Sequence, residues 1–139
     1  MRPPLARHRS AGPDSSRGAV IAEFAVLVPV LLILLFGIIQ FSIAFNRHQA
    51  VQAAAREGAR VASLPTTTSS DACARVTAAL VGINFQNAPT CQVTFNGGSS
   101  CNNSAESVTV EVSAQHTVDL ALAGNTTLTI TGEGDFRCE

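Results

Sequence analysis

The residues with the clearest chemistry in this 139-residue chain are its four cysteines, Cys73, Cys91, Cys101 and Cys138. None belongs to a C-x-x-C pair, the spacing typical of zinc sites and thiol exchange. We therefore predict two structural disulfides, formed in an oxidising space and each worth about 2 to 4 kcal/mol. Of the three possible connectivities we favour Cys91 with Cys101, which leaves Cys73 with Cys138. Four free buried thiols are the alternative.

A second feature is a carboxylate at the edge of an apolar segment. Glu23 directly precedes the 22 residues from Phe24 to Phe45, which carry no charge and only Gln40 and Ser42 as polar side chains. As a helix this stretch would span about 33 Å, enough to cross the hydrocarbon core of a bilayer. A secretory signal has a shorter apolar stretch followed by small residues, and here Asn46, Arg47 and His48 follow. We predict a membrane anchor.

Charge is divided unevenly along the chain. The leader, residues 1–18, has four arginines and one acid, whereas beyond Leu64 only Arg75 and Arg137 oppose seven acids. The acidic C-terminal part excludes a nucleic-acid partner there. The arginines before the anchor weakly favour a cytoplasmic N-terminus, and the cysteines favour more strongly an extracytoplasmic C-terminal domain.

Three segments are predicted from these patterns: a disordered basic leader over 1–18, a transmembrane and extended helix over 19–63, and a domain over 64–139. Helical periodicity continues past the membrane, where small or β-branched residues fall on one face: Val51, Ala54, Gly58 and Val61. Arg56, Glu57 and Arg60 are spaced for pairing within the helix and are expected to form mainly a solvated face. Pro65 and the Thr/Ser run after it end the helix.

The C-terminal domain is predicted to contain one helix and several strands. A helix over Asp71–Val81 begins at a cap on Ser70 or Asp71, and its inward face carries Cys73, Val76 and Leu80. Alternating patterns then predict strands over Cys91–Phe95, Ser107–Ser113 and Thr127–Thr131, and His116–Ala123 could extend the sheet. The motif G-E-G-D over Gly132–Asp135 and the triplet Asn125-Thr126-Thr127 are interpreted as turns.

The sequence of the domain carries no signature of a catalytic site. It has one histidine, His116, which we interpret as a strand or surface residue, and no Ser or Cys lies in a nucleophile motif. Calcium binding at Glu133 and Asp135 is a remote alternative, because the spacing of an EF-hand loop is missing. We expect a protein that is not an enzyme, with no cofactor and no bound metal.

The residues around Glu23 resemble a known processing signal. Arg17 to Phe24 reads R-G-A-V-I-A-E-F, a small residue at the end of a basic leader and an acid just inside an apolar helix. This resembles the type IV prepilin signal, in which a membrane aspartyl protease cuts after the glycine. The resemblance implies cleavage between Gly18 and Ala19, which makes Glu23 the fifth mature residue and Phe24 the sixth.

A longer stretch is similar to a narrower family. Arg17 to Ser63 resembles the TadE-like pseudopilins of tight adherence (Flp, type IVc) pilus systems, through R-G-A-V-I-A-E-F-A-V-L-V-P with Pro29, L-F-G-I-I-Q-F, and A-A-R-E-G-A-R-V-A from Ala54 to Ala62. Gln40 and Ser42 stand where the family often has an acid and a glycine, so a second charged contact in the helix does not transfer. The resemblance implies a minor pilin or assembly factor, with a prepilin peptidase, pilin subunits and assembly machinery as partners.

The resulting prediction is an α+β, pilin-like fold: a long N-terminal transmembrane helix, a short second helix and a small antiparallel β-sheet braced by disulfides. Assembly is assigned to Glu23, Phe24 and Pro29, where the proline removes a backbone hydrogen bond and should kink the helix. The alternative function is an uncleaved, single-pass surface binding module. The two hypotheses differ on whether Glu23→Ala abolishes function.

Overall fold

The fold is described from a computed structural model that covers residues 14–102, 104–120 and 124–139. The chain divides into two compact units, one up to Phe36 and one from Gly37 to Glu139. The described part of the first unit is helical throughout. The second unit contains the remainder of that helix, a short helix and all three strands.

Helix α1, Asp14–Ala62, is 49 residues long and contains Pro29. It begins five residues before the expected start at Ala19, so residues 14–18, predicted to be disordered, are helical; residues 1–13 of the predicted leader lie outside the described part. Abundant Ala and Leu favour the helix, and Pro65 lies just beyond its end. The kink at Pro29 stays a prediction.

Helix α2, Ser69–Ala79, is capped by Thr68 rather than by the predicted Ser70 or Asp71. The backbone N–H of Asp71 donates to the Thr68 hydroxyl oxygen at 3.4 Å, and the backbone N–H of Thr68 donates to the Asp71 carboxylate at 3.0 Å. This is the reciprocal capping box, which satisfies two helix-end donors at once. Hydrogen bonds from the Thr68 side chain and backbone lower the pKa of Asp71.

The sheet has three antiparallel strands in the order β1-β2-β3: β1 is Thr90–Asn96, β2 is Ser107–Leu120 and β3 is Gly124–Arg137. The predicted α+β architecture is confirmed, with longer strands than expected. Residues 121–123 of the predicted extension lie outside the described part. Two turn predictions were wrong, because Gly132–Asp135 and Asn125–Thr127 both lie within β3.

The glycines of β3 are strand residues because α1 lies directly against them. A Cβ atom on Gly134 would stand 2.6 Å from the backbone oxygen of Ala55, and one on Gly132 would stand 2.8 Å from that of Val51. Only hydrogen fits between strand and helix at these positions. The core is completed by three fully buried valines of β2, Val108, Val110 and Val112.

The predicted disulfides form, but with a different connectivity from the one favoured. Cys73 bonds Cys91, which ties α2 to β1, and Cys101 bonds Cys138, which ties the β1–β2 loop to the end of β3. Cys91 and Cys101 are close in sequence, yet one precedes nearly all of β1 and the other follows it. The extended strand from Cys91 to Asn96 alone separates them by about 17 Å.

Candidate functional site: the apolar helix and its junction with the domain

The apolar part of α1 presents its side chains outward all the way round. In the described part of the chain α1 is the one helix long and apolar enough to cross a membrane, and none of its most apolar window is buried. Exposed fractions include 67% for Phe24, 65% for Leu31 and 70% for Phe41. A helix that is apolar on every face and uncovered is built for lipid or for other helices.

The predicted processing and assembly residues all lie on α1. Gly18, Ala19, Glu23 and Phe24 occupy successive turns near its start and are exposed, and Pro29 is exposed further along. Ala19 and Glu23 are four residues apart, which places them on the same helix face. Glu23 has no ion-pair partner among the described residues, where the ion pair present joins Glu57 to Arg75.

Beyond the apolar segment α1 becomes part of the domain. Its buried stripe consists mostly of small residues: Val51, Ala54, Ala55, Gly58, Ala59 and Ala62. The predicted stripe is confirmed for Val51, Ala54 and Gly58, whereas Val61 is only half-buried and Ala62 takes the inward position. Small side chains let the helix backbone approach the sheet closely. The glycines of β3 permit the same close approach from the side of the sheet.

Two polar contacts of α1 with the domain differ from the sequence-based interpretation. The Nε and Nη2 atoms of Arg75 in α2 donate to the Glu57 carboxylate at 3.1 and 3.0 Å, so Glu57 pairs between helices rather than with Arg56 or Arg60. The side-chain amide of Gln52 donates to the backbone oxygen of Glu133 at 2.9 Å and accepts from its N–H at 3.3 Å. Gln52 thereby provides hydrogen-bond partners for both the backbone N–H and the backbone C=O of Glu133, on the edge strand β3.

Among the side chains that the structure describes, His116 is the most enclosed titratable group, and it contacts α1. This side chain is 5% exposed and contacts the guanidinium of Arg47, 69 residues earlier in the chain. Burial lowers the pKa of His116, and the positive charge of Arg47 lowers it further. A neutral ring accepts a hydrogen bond from Arg47 Nη1, which the protonated ring could not do. No local signal in the sequence indicated this pair.

The described residues do not bring three His, Cys, Asp or Glu side chains together in a way that could hold a metal ion. Glu133 and Asp135, the remote calcium candidates, are exposed residues of β3. The Asp135 carboxylate accepts a hydrogen bond from the hydroxyl of Thr109 on β2. That contact is an ordinary cross-strand pair on the outer face of the sheet.

Comparison with known proteins gives one family. Residues 18–60 match the family model described as TadE-like protein. The match begins at Gly18 and covers most of α1, so the resemblance noted from the sequence is confirmed for this segment. No curated protein and no solved structure matches the chain.

Proposed function

We propose, on the premise that residues 18–60 form a TadE-like segment, that this chain is a minor pseudopilin or pilus assembly protein of a tight adherence (Flp, type IVc) system. The observation that carries the proposal is the family match itself, which starts at the glycine after which cleavage is proposed. The TadE-like segment indicates a protein associated with a Tad pilus. The finer role adds processing by prepilin peptidase between Gly18 and Ala19, and assembly with other pilin subunits.

The proposed assembly chemistry uses Glu23 and the amine that cleavage would create on Ala19. At the bilayer surface an exposed carboxylate costs little, because headgroups and water solvate it. Between packed helices an unpaired carboxylate is expensive, and an α-ammonium group is a suitable partner. Ala19 and Glu23 share one helix face, so a single processed subunit carries both charges on that face. Each charge can then pair with the opposite charge of a neighbouring subunit.

The domain after Leu64 is proposed to be a non-enzymatic extracytoplasmic unit carried by the anchor, with the N-terminus in the cytoplasm. The two disulfides support this orientation, because such bonds persist in oxidising compartments. The acidic surface and the absence of a catalytic arrangement in its sequence support a structural role. We propose that the domain interacts with other pilus components and uses no cofactor.

The deciding experiment determines the N-terminus of the protein by intact mass. The sample is the full chain, extracted from membranes of cells that contain the peptidase. We expect a mature protein that begins at Ala19. Gly18→Leu should leave the leader attached. A wild-type chain that retains Met1 in those cells would contradict the processing proposal.

A second measurement separates processing from assembly. Glu23→Ala should leave the protein at normal levels in the membrane yet remove it from pilus-associated complexes. Glu57→Ala, a carboxylate on the same helix outside the apolar segment, is the matched control and should assemble normally. Unchanged assembly of Glu23→Ala would rule out the amine–carboxylate mechanism.

One observation favours the rival function, an uncleaved membrane-anchored binding module. Helix α1 begins at Asp14, so the bond between Gly18 and Ala19 lies within helical backbone, and a protease must first open it. Glycine makes this opening easier, since it costs about 1 kcal/mol of helix stability relative to alanine. The rival predicts an intact leader and an active Glu23→Ala variant.

A further inference from the structure

A cleft lies between α1 and the loop that follows α2. It has a volume of about 410 Å³ and opens to the outside. Four residues of α1 line one side, Ser42, Ile43, Asn46 and Arg47, and three residues of the loop line the other, Gly82, Ile83 and Asn84. All seven belong to the same compact unit.

The charged group in this cleft is Arg47. One terminal nitrogen of its guanidinium, Nη1, contacts the buried ring of His116, which fixes the orientation of the group. No carboxylate pairs with Arg47 in the part of the chain that the structure describes. Arginine has five N–H donors in a planar fork, so the donors that do not face His116 are available to an anion.

The cleft crosses the end of the apolar segment. Ser42 and Ile43 belong to the uncharged stretch that ends at Phe45, whereas Asn46 and Arg47 follow it immediately. On the loop side, Val81 is 78% exposed and is adjacent to Gly82. Apolar groups on one side of a boundary and a cation just beyond it match the two parts of a phospholipid, the acyl chain and the phosphate.

We propose that this cleft binds the phosphate of an anionic phospholipid in the leaflet that faces the domain, with Arg47 as the phosphate ligand and Val81 in contact with the acyl region. Asn46 and Asn84 are placed to donate additional hydrogen bonds. The proposal rests on the membrane anchor of the proposed function, but not on cleavage or pilus assembly. The occupant is a lipid because a molecule that α1 anchors in a bilayer has lipid beside Ile43, at the membrane side of the cleft.

The test uses tryptophan, which the natural chain lacks. The full chain carrying Val81→Trp is reconstituted in phosphatidylcholine vesicles that contain a minor fraction of brominated phosphatidylglycerol or an equal fraction of brominated phosphatidylcholine, and quenching of fluorescence is measured. Leu64→Trp is the distant control, because α1 extends about 22 Å from Arg47 to Ala62. Phe41→Trp, within the apolar segment, reports insertion.

We expect both brominated lipids to quench Trp at 81 and neither to quench Trp at 64. One arginine near the phosphates should enrich the anionic lipid by about fivefold, so quenching by phosphatidylglycerol exceeds that by phosphatidylcholine. In the Val81→Trp background, Arg47→Gln should remove this preference and Arg47→Lys should retain most of it. Asn84→Asp places a negative charge in the cleft at an exposed position and should also remove it.

Three outcomes would overturn the proposal. Quenching at 41 without quenching at 81 means that the loop does not reach the membrane and that a protein or nothing fills the cleft. Equal quenching by the two lipids means that Arg47 does not select phosphate. A lack of quenching at 41 means that α1 is not an anchor, which overturns the proposed function as well.

Discussion

The apolar part of α1, up to Phe45, and its last part, from Asn46 to Ala62, show opposite relations between hydrophobicity and burial. The first contains most of the large apolar side chains of the protein and leaves nearly all of them exposed. The second is rich in alanine and buries four of its six alanines, Ala54, Ala55, Ala59 and Ala62, in the core of the domain. Whether a side chain is buried here depends on whether the chain supplies a surface to pack against, and not on the size of the side chain. The apolar part of α1 has no such surface within the chain and needs lipid or other helices to cover it.

The largest expected effect comes from breaking the close approach of helix and sheet. In Gly134→Ala the new methyl group would meet the backbone of Ala55 and Arg56, which cannot rotate away. We expect a loss of about 3 kcal/mol in the free energy of unfolding of the domain. Thermal unfolding of the full chain in detergent, followed by circular dichroism of the sheet, measures this.

Gly98→Ala is the control for that variant, since its Cβ would have one neighbour, at 4.0 Å. It should unfold within about 0.5 kcal/mol of the natural chain. Equal stability of Gly134→Ala and the natural chain would show that α1 and β3 are further apart than described.

Two glycines of the same helix sharpen the comparison directly. A Cβ on Gly58 would lie 2.5 Å from Cγ2 of the buried Val76, whereas a Cβ on Gly37 would have no neighbour within 4 Å. Gly58→Ala should destabilise the domain by about 1 to 2 kcal/mol, because Val76 has to shift within a packed core. Gly37→Ala should leave domain unfolding unchanged, and hydrogen exchange of β2 amides reports both.

The pair of Arg47 and His116 makes the junction sensitive to pH. In the folded domain the pKa of His116 lies below its ordinary value of 6.5, so between these two values the unfolded chain binds more protons. Stability should therefore fall as pH decreases from 7.5 to 5. Asp71 adds nothing in this range, because its contribution is lost only below its ordinary pKa of 3.8.

The measurement is the melting temperature of the full chain against pH. His116→Gln keeps an acceptor for Arg47 without a titrating group and should flatten the profile between pH 7.5 and 5. A natural chain that is equally stable at both ends of this range would mean that folding does not lower the pKa of His116.

The smallest effect is expected from the ion pair of Glu57 and Arg75. Both side chains are partly in solvent, 34% exposed for Glu57 and 54% for Arg75, so screening leaves about 0.2 to 1 kcal/mol. A double-mutant cycle with Glu57→Gln and Arg75→Gln measures the coupling, which should decline with added salt. A coupling above this range would show that solvent screens the pair less than its exposure indicates.

The sequence predicted well those features that come from a periodic pattern of apolar residues. Alternation located all three strands, and helical spacing located the buried stripe at Val51, Ala54 and Gly58. The cap of α2 was predicted at Ser70 or Asp71 and lies at Thr68, although the capping-box pattern, Thr followed three residues later by Asp, is local. Gly132 and Gly134 were assigned to a turn because glycine has the same sequence signal in a turn and in a tight packing contact.

The remaining misses are contacts between residues distant in sequence. Arg47 and His116 are 69 residues apart, and neither position carries a motif. The predicted cysteine pairing was wrong because Cys91 lies near the start of β1 and Cys101 lies beyond its end. The spacing of the cysteines in the sequence does not show this. For the same reason the partner of Glu57 was assigned to its own helix.

The order of the cysteines along the chain also constrains the maturation of the domain. On the proposed topology, Cys73 and Cys91 emerge first and can be oxidised while β2 and β3 are still crossing the membrane. Cys101 then has no native partner until Cys138 arrives 37 residues later. During that interval its nearest thiol in sequence is Cys91, so early closure of the first bond protects the nascent domain from an incorrect crosslink.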